Sequence, residues 1–189
     1  MYQSVYLHDG TGDTGKGAKV TAANQLKVTT ASAICQASLL GDAFAWNAVA
    51  ANIDTTDCMI LVCNKSETRY LVISSCVFEG DIVGQLDFKL AECSGLTLAG
   101  TAITGVCLNR ALNKTAPASA FADETASPAT SIIMTWAQSL PYAAVAGIMN
   151  TMDFNDSIIL GLDDAFGIDT ILEPAAGFEA TVFGYFIDA

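Results

Sequence analysis

Apolar positions along this chain recur at every second residue over several stretches, which is the spacing of half-buried strands. GQLDFKLAEC places Leu86, Phe88 and Leu90 on one face and leaves the other wetted. DCMILVCNKSETRYLVISSCVF holds two β-rich apolar runs, 58–63 and 69–78, joined by the polar NKSET. A five-residue connection of that kind predicts a hairpin. SIIMTW and DSIILGLDD read as further strands. In the closing FEATVFGYFIDA, Phe178, Ala180, Val182, Gly184 and Phe186 share one face, and Thr181, Phe183, Tyr185 and Ile187 share the other. A strand apolar on both faces is central in its sheet or covered by a neighbour.

Other segments are less regular. ASAICQASLLGDAFAWNAVAANI, at 31–53, is alanine-rich and so favours helix, but Gly41 and the alternating Phe44 and Trp46 weaken that reading, and it stays open. GLTLAGTAITGVCLNR is rich in Thr, Ile and Val. Residues 109–130 are small and polar with two prolines, and predict a long loop of functional or interface character. Short strands spaced by turns, without strand–helix alternation or a repeat, predict an all-β protein. The expected architecture is an antiparallel, jelly-roll-like β-sandwich over 31–189, preceded by an extended arm or hairpin over 1–30.

That Gly-rich arm contains HDGTGDTGKGAKV, which superficially matches a phosphate-binding loop at Gly10 and Gly15-Lys16. Such a loop needs a Ser or Thr hydroxyl after its lysine and a helix directly behind it. Here Gly17 stands at the hydroxyl position, and Val20, Leu26 and Val28 fall in short extended pieces around Ala23-Asn24. Nucleotide binding is therefore not expected.

Composition changes the picture from fold to partners. In 189 residues, 52% are hydrophobic and only 15% charged, against roughly 25% charged in ordinary soluble domains. Mean hydropathy is +0.42. SIIMTWAQSLPYAAVAGIMNTM is broken by Gln138, Ser139 and Pro141 and lacks basic flanks, so no membrane span is expected. No basic segment followed by an apolar run suggests a secretory signal. The apolar surplus then implies burial against other subunits. Twenty acidic residues against eight basic ones, net −12, with no basic run, speak against nucleic acid as a partner.

Chemistry is sparse. The six cysteines show no CxxC spacing and the single His8 lies far from them, so no zinc site is expected; an even count permits disulfides, but with no export signal reduced thiols are expected. Cys58, Cys63, Cys76 and Cys107 read as small buried hydrophobes. One histidine, and no Gly-x-Ser-x-Gly, leave no nucleophile–base pair. The acids between Asp153 and Asp169, and Asp9 with Asp13, lack calcium-loop spacing and read as solvated carboxylates. No enzyme activity and no cofactor are expected. The candidate residues are instead interface residues: the apolar anchors Trp46, Trp136, Tyr142, Phe183 and Tyr185, and in the arm His8, Asp9, Gly10, Gly12, Lys16 and Val20.

HDGTGDTGKGAKVTAANQLKV resembles the opening of virion structural proteins of tailed bacteriophages, in which an arm of this kind precedes a β-sandwich. GDAFAWNA, MILVCNKSETRYLVIS and the ending DSIILGLDDAFGIDTILEPAAGFEATVFGYFI are similar to their later strands, while 91–150 departs from them. The resemblance implies a non-enzymatic capsid decoration (cement) protein, trimeric, bound to the major capsid protein on the virion surface and assembled in the host bacterial cytoplasm. A tail or tail-fibre component is the alternative it also implies. From the residues alone, a glycan-binding sandwich with Trp46 or Trp136 as a stacking platform is the third reading.

Overall fold

The computed structural model describes residues 32–50, 58–80, 84–95, 97–124, 134–142, 149–170 and 178–189, with backbone alone for 50, 80, 84–87, 134–142 and 170. His8, Asp9, Gly10, Gly12, Lys16 and Val20 lie outside the described residues, as does the expected arm. Among the described residues one helix, α1 (Ala33–Leu40), precedes eleven strands. These are β1 (Ala43–Ala50), β2 (Cys58–Asn64), β3 (Arg69–Gly80), β4 (Gly84–Glu92), β5 (Thr101–Ile103) and β6 (Val106–Cys107), then β7 (Ala118–Glu124), β8 (Met134–Tyr142), β9 (Asn150–Leu160), β10 (Asp164–Thr170) and β11 (Phe178–Asp188).

The strands form two antiparallel sheets, ordered β6-β1-β11-β3-β9 and β5-β7-β2-β10-β4-β8. Set aside the short insert β5–β7, and the orders become β1-β11-β3-β9 and β2-β10-β4-β8. Every connection between those eight strands crosses from one sheet to the other, except that from β4 to β8. This double-sheet arrangement is a jelly roll. The insert then lengthens both sheets at the same side, with β6 on β1 and β7 on β2.

Between the sheets lies a core of aromatic and β-branched side chains. Phe88 packs edge-on against Phe154 and stacks on Phe166, with centroids 5.5 and 6.1 Å apart. Phe78 stacks on Phe178 at 6.3 Å. Such pairs add roughly 0.5–1.5 kcal/mol each beyond burial. β11 is central in its sheet, as its two apolar faces predict.

Three expectations need correction. The runs 58–63 and 69–78 are strands, but they do not form a hairpin: β2 pairs with β10 and β7, and β3 with β11 and β9. NKSET is instead an arch between the sheets. Asn64 drives it, because its fully buried amide donates to Arg69 O (2.9 Å) and Leu160 O (3.0 Å) while its Oδ1 accepts from Ser66 N (2.9 Å). Those bonds satisfy a polar side chain where the chain changes sheet. Second, the loop expected over 109–130 contains β7. Its inward Ala120 and Ala122 are small, and pairing with β2 overrides their weak strand preference.

Third, the open segment 31–53 divides cleanly at Gly41. There φ is +75°, Gly41 N bonds to Ser38 O at 3.0 Å and Asp42 N to Ala37 O at 2.8 Å. That is a Schellman cap, which ends α1 and releases β1. Gly41 ends the helix and does not argue against one.

Candidate interaction surface

The sheet containing β11 has an outer face that can be built row by row from its register. One row runs Val106, Ala45, Phe183, Ser75, Asp153 across β6, β1, β11, β3 and β9. Its neighbour on one side runs Ala43, Tyr185, Val72, Ile159, followed by the pair Ile187–Tyr70. On the other side come Asn47, Thr181, Val77, Thr151, and then Val49, Glu179, Glu79. Alternate residues of the same strands face the core, so this face follows from the strand period alone.

α1 covers one row. Ala37, with Ile34 beside it, packs on Ala43, Val72 and Tyr185, which are all buried. Burial pushes the Tyr185 phenol up from its ordinary value, and the neighbouring Asp156 adds to the effect. The remaining rows, and Ile159 at the end of the covered one, stay uncovered. Val49 is 68% exposed, Ile159 56% and Val106 49%, with Tyr70 and Ile187 exposed beside them. Leu39 and Leu40 continue the apolar surface from α1, and Leu108 and Leu112 from the adjoining 107–114 segment, where Asn109 Nδ2 donates to Leu39 O. Apart from Leu162, every exposed large apolar residue among the described ones lies on this side or borders it.

The other sheet differs. Its outer face near Cys58, Leu61, Cys63, Ala91, Cys93 and Ala165 is buried under Leu98. The covering segment is held by Glu124, whose buried carboxylate accepts from Ala99 N at 2.8 Å and Gly100 N at 2.9 Å. On the same sheet Lys89 pairs with the buried Asp169.

A cleft of about 350 Å³ lies where α1 meets the end of β11, lined by Leu40, Asp42, Arg69, Tyr185 and Ile187 among others. Asp42 Oδ1 pairs with Arg69 and Lys114, at 3.2 and 3.0 Å. Arg69 also donates to Phe186 O at 3.3 Å and lies 5.4 Å from the Phe186 ring centroid. This network ties α1 to the sheet end and leaves its charges mutually engaged.

The acids that raised calcium as an option have structural partners. Asp163 pairs with Lys65 at 2.6 Å, Asp164 accepts from Gly161 N at 2.9 Å, and Asp153 from Asn155 N at 2.8 Å. Among the described residues no group of three or more His, Cys, Asp or Glu could hold a metal ion. All six cysteines are free thiols, Cys35 exposed and the others buried. Burial pushes Cys58 and Cys76 up to about 12. A hydrogen bond from Cys93 lowers Cys63 and raises Cys93. Among the described residues no helix is long and apolar enough to cross a membrane.

The anchors chosen from sequence divide. Phe183 is half-buried at the centre of the outer face. Tyr185 shares that face but lies under α1, 6% exposed. Trp46 must be corrected: it is fully buried among the core residues between the sheets, because it occupies an inward position of β1. Trp136 and Tyr142 lie on β8, at the edge of the other sheet. The reading missed Val49, Val106 and Ile159, whose signal was apolar character on the polar side of an alternating strand.

Comparison with known proteins adds no relative: no family model, no curated protein and no solved structure matches this chain.

Proposed function

We propose that this chain is a non-enzymatic structural subunit of a tailed-phage virion, a capsid decoration protein that binds the major capsid protein lattice and stabilises it. The observation that carries this reading is the outer face of the β11 sheet. Its uncovered positions present Val49, Val106, Phe183 and Ile159 without a basic side chain among them. Apolar area of this kind at the surface of a monomer marks a protein–protein contact. The jelly roll is compatible with the reading, being a fold used for viral capsid domains among others. The resemblance of the N-terminal segment to phage virion proteins supports the choice of partner, and the net charge of −12 leaves assembly dependent on contacts that offset the mutual repulsion of the subunits. On this reading the subunits form a homo-oligomer, a trimer, on the capsid exterior, after synthesis in the host bacterial cytoplasm.

A tail component uses the same fold and the same face, and differs only in location. The glycan-binding reading loses Trp46 as a platform, since a fully buried indole cannot stack on a sugar.

Phage particles stripped of surface protein but keeping their tails, mixed with the full-length chain and pelleted through sucrose, test the proposal. The chain is expected in the pellet at a fixed ratio to the capsid subunit, with added density on the head surface by electron microscopy. Folded protein left in the supernatant overturns the reading, and density confined to tails converts it to the alternative.

A further inference from the structure

We propose that residues 16–28 of a second copy of this chain dock on the outer face of the β11 sheet, laying Val20, Leu26 and Val28 against its apolar rows and Lys16, Lys19 and Lys27 against its acids. The inference rests on the oligomeric reading above and names the surface and the segment that join two copies.

Charge selects the occupant. The uncovered part of the face carries Asp153, Glu79 and Glu179 and no basic residue, with Glu79 and Glu179 directly opposite one another. Like charges at opposed positions oppose pairing unless a cation lies between them. Beside them is a hollow of about 130 Å³, lined by Val77, Glu79, Met149, Glu179 and Thr181. Its apolar wall and two carboxylates suit a lysine, whose methylene stem packs on apolar surface while its ammonium meets the acids.

The chain itself supplies such lysines. Three of its eight basic residues, and only two of its twenty acidic ones, fall in residues 1–31. No acid interrupts 14–31, where Lys16, Lys19 and Lys27 alternate with apolar residues. The remainder, with five basic and eighteen acidic residues, carries −13. Two such bodies repel, and a cationic segment exchanged between them offsets that repulsion while covering apolar area.

Length is adequate. Thirteen residues span about 40 Å when extended, about twice what is needed to cross the five strands of this sheet, so the segment crosses the face without the two-residue alternation that would turn Lys19 and Lys27 away from it. The edges of the sheets are less suitable hosts for an added strand. β8 contains Pro141, β9 is irregular around Asn155 and Asp156, both at positive φ, and β5 has three residues.

The test uses the full-length protein and a zero-length carbodiimide cross-linker, which joins a lysine to a carboxylate that it touches. Denaturing gels are expected to show a covalent dimer, and peptide mapping to show Lys16, Lys19 or Lys27 joined to Glu79, Asp153 or Glu179. The K16Q/K19Q/K27Q variant should give about tenfold less dimer, and so should E79Q/E179Q, which alters only surface positions and should keep its circular dichroism. A dimer undiminished in these variants, links confined to one chain, or links to other acids overturn the proposal. Dimer with the expected links but no binding to phage heads would retain it and discard the capsid reading instead.

Discussion

Gly105 lies so close over the indole of Trp46 that a Cβ built on it would sit 2.5 Å from Nε1. That nitrogen is buried and has no hydrogen-bond partner. The insert between β4 and β8 thereby closes the core at this point with backbone alone, and any side chain must push the indole or the insert aside. We predict that Gly105→Ala destabilises the protein by about 1–3 kcal/mol, the usual cost of overpacking a filled core. Urea unfolding followed by fluorescence in a Trp136→Phe background, where Trp46 is the sole reporter, measures it. Unchanged stability would show that the insert yields freely.

Glu124 performs the equivalent task for the other sheet. Its carboxylate is 1% exposed and holds two consecutive backbone donors, Ala99 N and Gly100 N. Glu124→Ala strands both donors, at a cost of about 2–4 kcal/mol. Hydrogen exchange should then lose protection at Ala99 and Gly100 before the core strands do, because Leu98 and its neighbours cover the thiol cluster only while they are held. Glu124→Gln keeps one acceptor and should fall between the two.

Much of the strand content was legible, because alternation is a local signal, and β4 and β11 show it plainly. What sequence could not tell was which strands pair. β2 and β3 are joined by five polar residues, as a hairpin would be, and only the buried partners of Asn64, one of them Leu160 in a distant strand, decide for an arch. The alanines of β7 hid a strand that exists by pairing with β2. Trp46 was misjudged for the opposite reason: large aromatic residues fill cores and anchor interfaces alike, and its inward position in β1 sends it to the core. The outer face was readable in part, since the alternation of β11 places Phe183 on it, whereas Val106 belongs to a strand too short to announce a face.

Alkaline pH should unfold the protein through its thiols. Cys58 and Cys76 ionise near 9 when exposed and are raised to about 12 by burial. Folding therefore favours their neutral forms. The stability they contribute is complete below about pH 9 and is lost as pH rises toward 12, by up to about 4 kcal/mol apiece. Denaturant midpoints compared between about pH 8 and pH 11 should fall steeply, and less steeply in Cys76→Ala. A thiol reagent at neutral pH should titrate Cys35 alone in the native protein, and all six cysteines after unfolding. Rapid native labelling of the buried thiols would contradict this.

Ile159 and Leu160 are adjacent on β9 and face opposite ways: Ile159 is 56% exposed on the outer face, and Leu160 is 3% exposed in the core. An aspartate at each position separates folding from association. Leu160→Asp buries a carboxylate without a partner and should abolish folding, as an unpaired buried charge does. Ile159→Asp, or Val106→Asp at the far end of the face, removes no core contact and should leave monomer stability within about 0.5 kcal/mol. If the outer face is where copies meet, either surface variant places a carboxylate in an apolar contact and weakens self-association by about tenfold or more. Sedimentation velocity over a range of concentrations reads that shift directly. Association identical to the parent chain in both Ile159→Asp and Val106→Asp would remove this face from the assembly and with it the basis for placing a neighbour there.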